Sequence, residues 1–60
     1  MQILIVGDKV EILTNYCKGR KGILTYVGDG VVRVLLWDDA YQEYESEFKI
    51  FLTTEVKKID

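Results

Sequence analysis

The 60-residue chain contains no histidine and no proline, and Cys17 is its only cysteine. A single cysteine cannot form a disulfide within the chain, and without histidine it cannot complete a cysteine–histidine metal site. Cysteine catalysis assisted by histidine and a Ser-His-Asp triad are excluded for the same reason. The composition therefore predicts a protein that is not an enzyme and has no cofactor or metal site, although a cation held by oxygen ligands from several loops stays an alternative for the acidic residues.

Long hydrophobic runs are also missing. The apolar stretch at residues 1–6 has no basic flank and no small-residue cleavage site, so it does not resemble a signal peptide. No run approaches the roughly 20 apolar residues that a membrane span requires. Together with the unpaired cysteine, these absences predict a cytoplasmic protein that has no membrane partner.

The chain has no excess of positive charge, because 8 Lys and Arg residues face 10 Asp and Glu residues. Strong nucleic-acid binders usually carry a large basic excess, so nucleic-acid binding is expected to be weak for the chain alone. Residues 1–60 are predicted to form one small domain with a thin core. A thin core gives little folding stability, so we expect further stabilisation from good packing, from a homo-oligomer or from docking on a larger partner.

The pattern of apolar residues predicts an all-β fold. Apolar and polar residues alternate along most of the chain, and no window shows the apolar stripe of an amphipathic helix. Val10 and Ile12 share one face of the first strand, and Val32, Val34 and Leu36 are expected to point inward from the third. Five strands are predicted, at about residues 3–13, 22–27, 31–37, 42–51 and 56–59, with a short 3₁₀ turn at residues 52–55.

Glycines mark the predicted turns. A bend is expected at residues 7–8, and residues 28–30 form a Gly-Asp-Gly hairpin signal. Gly22 and Gly30 are both predicted to adopt positive φ at turns. In the fourth predicted strand, Phe48 and Ile50 share an apolar face with Tyr44. Strands of this number and size are typical of a small barrel.

The basic turn and its flanking strands resemble the KOW motif of SH3-like barrels, which occur in transcription elongation factors and ribosomal proteins. The matching positions are Gly7, Asp8, Val10, Ile12, Lys18, Gly19, Gly22, Leu24, Val27, Val32 and Val34. This resemblance implies a five-stranded SH3-like barrel without catalytic activity. The chain departs from ribosomal members of the family because it is acidic, not basic, over residues 38–47.

The C-terminal half also resembles two other SH3-like barrels, the small stromal subunit of photosystem I and the variable chain of ferredoxin–thioredoxin reductase. The shared positions are Val32, Val34, Trp37, Asp38, Tyr44, Phe48, Glu55 and Val56. This second resemblance implies a structural subunit of a photosynthetic or redox complex. Both resemblances imply a barrel that docks on something larger.

A basic loop is the candidate nucleic-acid site. Lys18, Arg20 and Lys21 lie on one predicted loop, with Arg33 expected nearby and Tyr16 available to stack on a base. The alternative is a solvated turn whose glycines shape the backbone and whose charges only add solubility. The acidic balance elsewhere in the chain favours this alternative.

The third and fourth predicted strands supply the candidate protein interface. Alternation places Arg33, Leu35 and Trp37 outward, and an exposed Leu–Trp pair beside Tyr26 would form an apolar patch. Alternatively, Trp37 closes one end of its own core, and the acidic residues only protect an edge strand from aggregation. The predicted interface comprises Tyr26, Leu35, Trp37, Asp38, Asp39, Tyr41, Glu43 and Glu45.

Cys17 is interpreted as an incidental loop residue, although three nearby cations would favour its reactive thiolate form. The leading functional hypothesis is a protein-binding module or a small regulator that docks on a large machine such as RNA polymerase or the ribosome. Because the chain reads as a complete small protein, a regulator or inhibitor encoded by a phage or mobile element is one form of this hypothesis. A nucleic-acid module and a structural subunit are the alternatives.

Overall fold

The computed structural model describes residues 2–59, except for the side chain of Tyr16. Over this range the chain forms an antiparallel sheet of six strands with two short 3₁₀ helices, and no α-helix. The strands are β1 (Lys9–Ile12), β2 (Lys21–Val27), β3 (Val31–Asp38), β4 (Glu43–Tyr44), β5 (Lys49–Leu52) and β6 (Val56–Lys58). The 3₁₀ helices span Asn15–Cys17 and Thr53–Glu55. The prediction of an all-β chain with a 3₁₀ turn before the last strand is confirmed.

β3 is the centre of the sheet because three strands pair with it. β2 runs along one edge of β3, whereas β4 and β5 follow one another along the other edge. β1 pairs with β2 on one side and with β6 on the other. Six strands thus replace the five predicted, and within residues 2–59 no pairing closes the sheet into a barrel.

The N-terminal segment lies beside β6 and does not extend β1, so the first strand is shorter than predicted. The Gln2 side chain donates from Nε2 to the Val56 carbonyl (2.8 Å) and accepts at Oε1 from the Lys58 amide (2.9 Å). It thereby satisfies part of the outer edge of β6. The predicted bend is confirmed, since residues 6–7 form a turn in which Gly7 has a φ of +99°.

One face of each long strand fills the core, as the alternation predicts. Arg33 is exposed while its neighbours Val32 and Val34 are buried, and Leu36 continues the same inward row. The buried side chains are Val10, Ile12, Cys17, Leu24, Val32, Val34, Leu36, Phe51 and Val56. Sheet pairing therefore leaves the opposite face of β3 pointing away from this core.

The predicted fourth strand is wrong in its extent and in its inward face. It divides into β4 and β5, and residues 45–48 between them are not part of a strand. This interruption resets the alternation, because β5 enters the sheet with Phe51 opposite the buried Val32. Phe51 is therefore buried, whereas Phe48 and Ile50 are exposed.

Two further predictions about single residues are corrected by the structure. Cys17 is not incidental, because the 3₁₀ helix at Asn15–Cys17 turns its side chain into the core, where it is 3% exposed. Gly22 lies inside β2 without a positive φ, and it is buried against β3. Gly30 does have the predicted positive φ, at +83°, and in the basic loop it is Gly19 that has one, at +90°.

Candidate functional site

The side chains of β3 that alternate with its buried residues form the outer surface of the sheet. Arg33 lies at the middle of this surface, with Ile50 of β5 directly opposite it. Leu52 occupies the next outward position of β5, two residues along. This surface, the outer face, is formed by Tyr26, Arg33, Leu35, Phe48, Ile50 and Leu52.

A β-bulge in β2 brings Tyr26 onto the outer face. Leu24 pairs with Val34, but Tyr26 pairs with Arg33, so Thr25 is an extra residue in β2. In a regular strand Tyr26 would point to the same side as the buried Leu24. The bulge turns Tyr26 outward instead, and the Thr25 hydroxyl donates to the Arg33 carbonyl at 3.3 Å.

Arg33 lies between two aromatic rings on this face. Its Cζ is 4.8 Å from the ring centroid of Tyr26 and 4.7 Å from that of Phe48. Both distances are within the range of a cation–π contact. With the residues that the structure describes, the Arg33 side chain forms no ion pair and no hydrogen bond. Its N–H donors are therefore available to an outside acceptor.

Gly28 helps to set the position of the Tyr26 ring. A β-carbon at Gly28 would lie 2.7 Å from Tyr26 Cε2 and 2.8 Å from Tyr26 Oη. These distances are too short for a real contact, so a side chain at position 28 would displace the Tyr26 ring. Tyr26 lies between the Gly28 backbone and the Arg33 guanidinium.

Trp37 and Tyr44 form an aromatic pair further along β3. They are opposite one another in the β3–β4 register, and their ring centroids are 4.9 Å apart at an interplanar angle of 77°. Trp37 is half-buried and lies outside the buried core. The pair borders a surface groove of about 270 Å³, lined by Lys9, Lys21, Gly22, Trp37, Tyr44 and Ile59.

The acidic residues of the predicted interface lie on a turn, on the short β4 and in an ion pair. Glu45 pairs with Arg20 at 2.9 Å and approaches Lys49 Nζ at 4.0 Å. Asp38 Oδ1 accepts from the amides of Ala40 and Tyr41 and so closes the turn after β3. Asp39, Tyr41 and Glu43 are exposed on this turn and on the short β4.

The structure separates Arg33 from the predicted basic loop and gives Arg20 internal partners. Arg20 donates to the Trp37 carbonyl at 3.0 Å as well as to Glu45, so its guanidinium has internal partners. Lys18 and Lys21 are exposed. Arg33 lies four residues before Trp37 on β3, a distance of about 13 Å along a strand, and it is not part of this loop. The side chain of Tyr16 lies outside the part of the chain that the structure describes.

Four residues of the outer face, Arg33, Phe48, Ile50 and Leu52, are not in the protein interface predicted from the sequence. Alternation through residues 42–51 places Phe48 and Ile50 inside, and that alternation is interrupted between β4 and β5. The polar sequence Glu45-Ser46-Glu47 is the signal that indicates this interruption. Of the predicted interface, Tyr26 and Leu35 belong to the outer face, Trp37 borders the groove, and the acidic residues surround the turn after β3.

No family model matches this chain, and no curated protein or solved structure shows significant similarity to it. The resemblances to the KOW motif and to the photosynthetic barrels therefore stay predictions. In residues 2–59 there is no helix with the length and apolar character needed to cross a membrane.

Proposed function

We propose that this chain is a non-enzymatic protein-binding module and that the outer face is its contact surface. The supporting observation is the set of large apolar side chains that lie exposed around Arg33. Their exposures are 45% for Tyr26, 46% for Phe48, 62% for Ile50 and 52% for Leu52. A contiguous exposed apolar patch on a small domain is typical of a protein interface.

The composition of the outer face supports a protein partner over a nucleic acid. Tyr and Arg are enriched among residues that contribute most to protein–protein binding. Ile50 and Leu52 have no aromatic ring on which a base could stack, and the single cation of this face is Arg33. A partner that covers the face would bury aliphatic area around a central aromatic–arginine contact.

The proposal includes an SH3-like architecture and a large partner, as the KOW resemblance implies. Three features support it: the β1–β2–β3 meander, the 3₁₀ turn before the last strand, and the return of β6 to pair with β1. In this proposal the module docks on a large assembly such as RNA polymerase or the ribosome, as a small regulator or inhibitor.

Affinity capture with matched isoleucine variants tests the proposed surface. Ile50→Asp places a charge on the outer face, and Ile3→Asp places the same charge on the N-terminal segment, where Ile3 is similarly exposed at 72%. The partner captured from the source cell by the wild-type chain should also be captured by Ile3→Asp and lost with Ile50→Asp. A thermal melt checks that both variants fold. Equal capture by all three chains would contradict the proposal.

A nucleic-acid module is the second candidate, and the groove beside Trp37 is the observation that favours it. Lys9 and Lys21 flank the Trp37–Tyr44 pair, which combines cations with aromatic rings. Binding through these lysines would weaken steeply as salt rises, whereas an apolar protein contact would hardly respond. Fluorescence anisotropy with a labelled single-stranded RNA at physiological salt separates the two, because submicromolar binding would favour this candidate.

A further inference from the structure

We infer that Arg33 binds a carboxylate of the protein partner, supplied by an Asp or Glu side chain that is flanked by apolar residues. The inference rests on the proposed function, because it names the chemistry of the partner at the same surface. The observation that supports it is the positive charge of Arg33, which no carboxylate within residues 2–59 neutralises.

Within residues 2–59 five cations have no ion pair, namely Arg33 and four exposed lysines, and of these Arg33 is the one that contacts two aromatic rings. Arg20 and Lys49 both approach Glu45, and Lys58 Nζ lies 3.5 Å from Asp8 Oδ2. Within residues 2–59 Arg33 has no such carboxylate, although it lies at the centre of a sheet where a cross-strand acidic partner would be in reach. The opposite positions on both neighbouring strands are Tyr26 and Ile50, which carry no charge.

The two rings prepare the guanidinium for a planar anion. Contacts with Tyr26 and Phe48 restrict its position but use none of its hydrogen-bond donors. An arginine fork matches the two oxygens of a carboxylate, and an arginine that is already held in place loses less conformational entropy when it binds. The arrangement therefore favours a paired, bidentate contact with a single anionic group.

The surrounding apolar residues make the anion a requirement for the partner. A partner that covers Ile50, Leu52 and Phe48 also removes water from Arg33. Burying an unpaired charge is strongly unfavourable, so a partner without a matching anion would be rejected. A carboxylate at that position would be paired in a water-poor surrounding, where charge–charge attraction is stronger than in water.

Two other occupants fit this face less well. A second copy of the chain, docked through the same face about a two-fold axis, would bring two Arg33 side chains together and repel. A nucleic acid presents a row of phosphates, but the outer face offers one cation, and its two aromatic rings already contact that cation. An acidic group within an apolar protein segment matches both the charge and the surroundings.

Selection of peptides from a short randomised library on the full chain tests the inference. The enriched peptides should contain Asp or Glu next to aliphatic or aromatic residues. For a labelled peptide from this pool, Arg33→Met should weaken binding by about tenfold or more, and Arg33→Lys by less. Replacing the peptide's Glu with Gln, or its Asp with Asn, should weaken binding to the wild-type chain by a similar factor but change little for Arg33→Met. Thermal melts check that both variants fold.

The results distinguish a failure of this inference from a failure of the proposed function. If Ile50→Asp abolishes binding but Arg33→Met and the neutral peptide do not weaken it, the carboxylate contact is wrong and the binding surface stands. If Ile50→Asp leaves binding unchanged, the proposed surface itself is wrong. Enrichment of no peptide or of peptides without acidic residues, self-association through Arg33, or Arg33-dependent binding of a labelled single-stranded RNA would each overturn the inference.

Discussion

Arg20 Nη2 lies 2.9 Å from Glu45 Oε2, so the basic loop and the acidic segment of this chain are joined by an ion pair. From the sequence these residues belong to two separate candidate surfaces, one for nucleic acid and one for protein. In the folded chain they neutralise each other, and Arg20 also holds the Trp37 carbonyl. The pair therefore contributes to the structure around the end of β3 and reduces the charge available to either kind of partner.

A double-mutant cycle should detect this ion pair in the stability of the protein. Both side chains are about one-third exposed, at 37% for Arg20 and 29% for Glu45, so water screens part of the attraction. We expect a coupling of about 0.5–1 kcal/mol between Arg20→Met and Glu45→Gln in urea denaturation. The coupling should shrink in high salt.

The chain offers a matched control for this cycle. Lys49 Nζ approaches the other oxygen of the same carboxylate, but only to 4.0 Å. Lys49→Met should therefore couple to Glu45→Gln more weakly than Arg20→Met does. If both cations had the same coupling free energy with Glu45, the shorter distance to Arg20 would not make that contact more stabilising.

Gly22 and Gly30 should resist substitution for different physical reasons. A β-carbon at Gly22 would lie 2.5 Å from Val34 Cγ1 and 2.6 Å from the Leu35 carbonyl oxygen, so β2 and β3 would have to move apart. We expect Gly22→Ala to lower the free energy of unfolding by about 1–3 kcal/mol. At Gly30 there is open space, but its φ of +83° makes Gly30→Ala cost about 1 kcal/mol.

Substitution by asparagine distinguishes lack of space at Gly22 from the positive φ of Gly30, and thermal or urea unfolding measures the difference. Asn tolerates a positive φ better than Ala, so Gly30→Asn should be less destabilising than Gly30→Ala. At Gly22 the larger Asn should be worse than Ala, because the limit there is space. The same ranking at both positions would contradict this assignment.

The sequence predicts the core of this fold well wherever the strands are long and regular. Val10 and Ile12 in β1, and Val32, Val34 and Leu36 in β3, are buried as their alternation indicates. Alternation depends on an uninterrupted strand, because each side chain takes the side opposite to that of its neighbour. One irregular residue is enough to reverse the assignment.

The candidate site is less predictable because it depends on two such irregularities. The extra Thr25 turns Tyr26 outward, and the segment at residues 45–48 puts Ile50 outside and Phe51 inside. The polar Glu45-Ser46-Glu47 indicates an interruption, but which side each residue then faces is fixed by pairing with β3. The prediction that Arg33, Leu35 and Trp37 point outward from β3 does agree with the structure, but the ring contacts of Arg33 depend on long-range pairing.

Cys17 should be protected from thiol reagents in the native state. Its side chain is 3% exposed and belongs to the core, so labelling by a disulfide reagent should require local or global opening. We expect slow labelling in buffer that accelerates as urea is added. Rapid stoichiometric labelling of the native chain would contradict the buried position.

Substitution of Cys17 should also affect stability in a way that depends on polarity. Serine has nearly the same size but would bring a hydroxyl into an apolar site, and we expect Cys17→Ser to cost about 1–3 kcal/mol in urea denaturation. Alanine leaves only a small void, so Cys17→Ala should cost less. If the two variants were equally stable, the surroundings of Cys17 would have to offer a polar partner.

Trp37 should contribute to folding stability as well as to the surface. Its half-buried indole packs edge-to-face on Tyr44 at 4.9 Å, and an aromatic pair of this kind contributes about 0.5–1.5 kcal/mol beyond the apolar area that it buries. We therefore expect Trp37→Ala to lower the free energy of unfolding by about 1–2 kcal/mol in a thermal melt. Tyr41 on the nearby turn is 75% exposed, and Tyr41→Ala should change stability by no more than about 0.5 kcal/mol. A Trp37→Ala chain that melts with the wild-type protein would show that the contact with Tyr44 does not stabilise the fold.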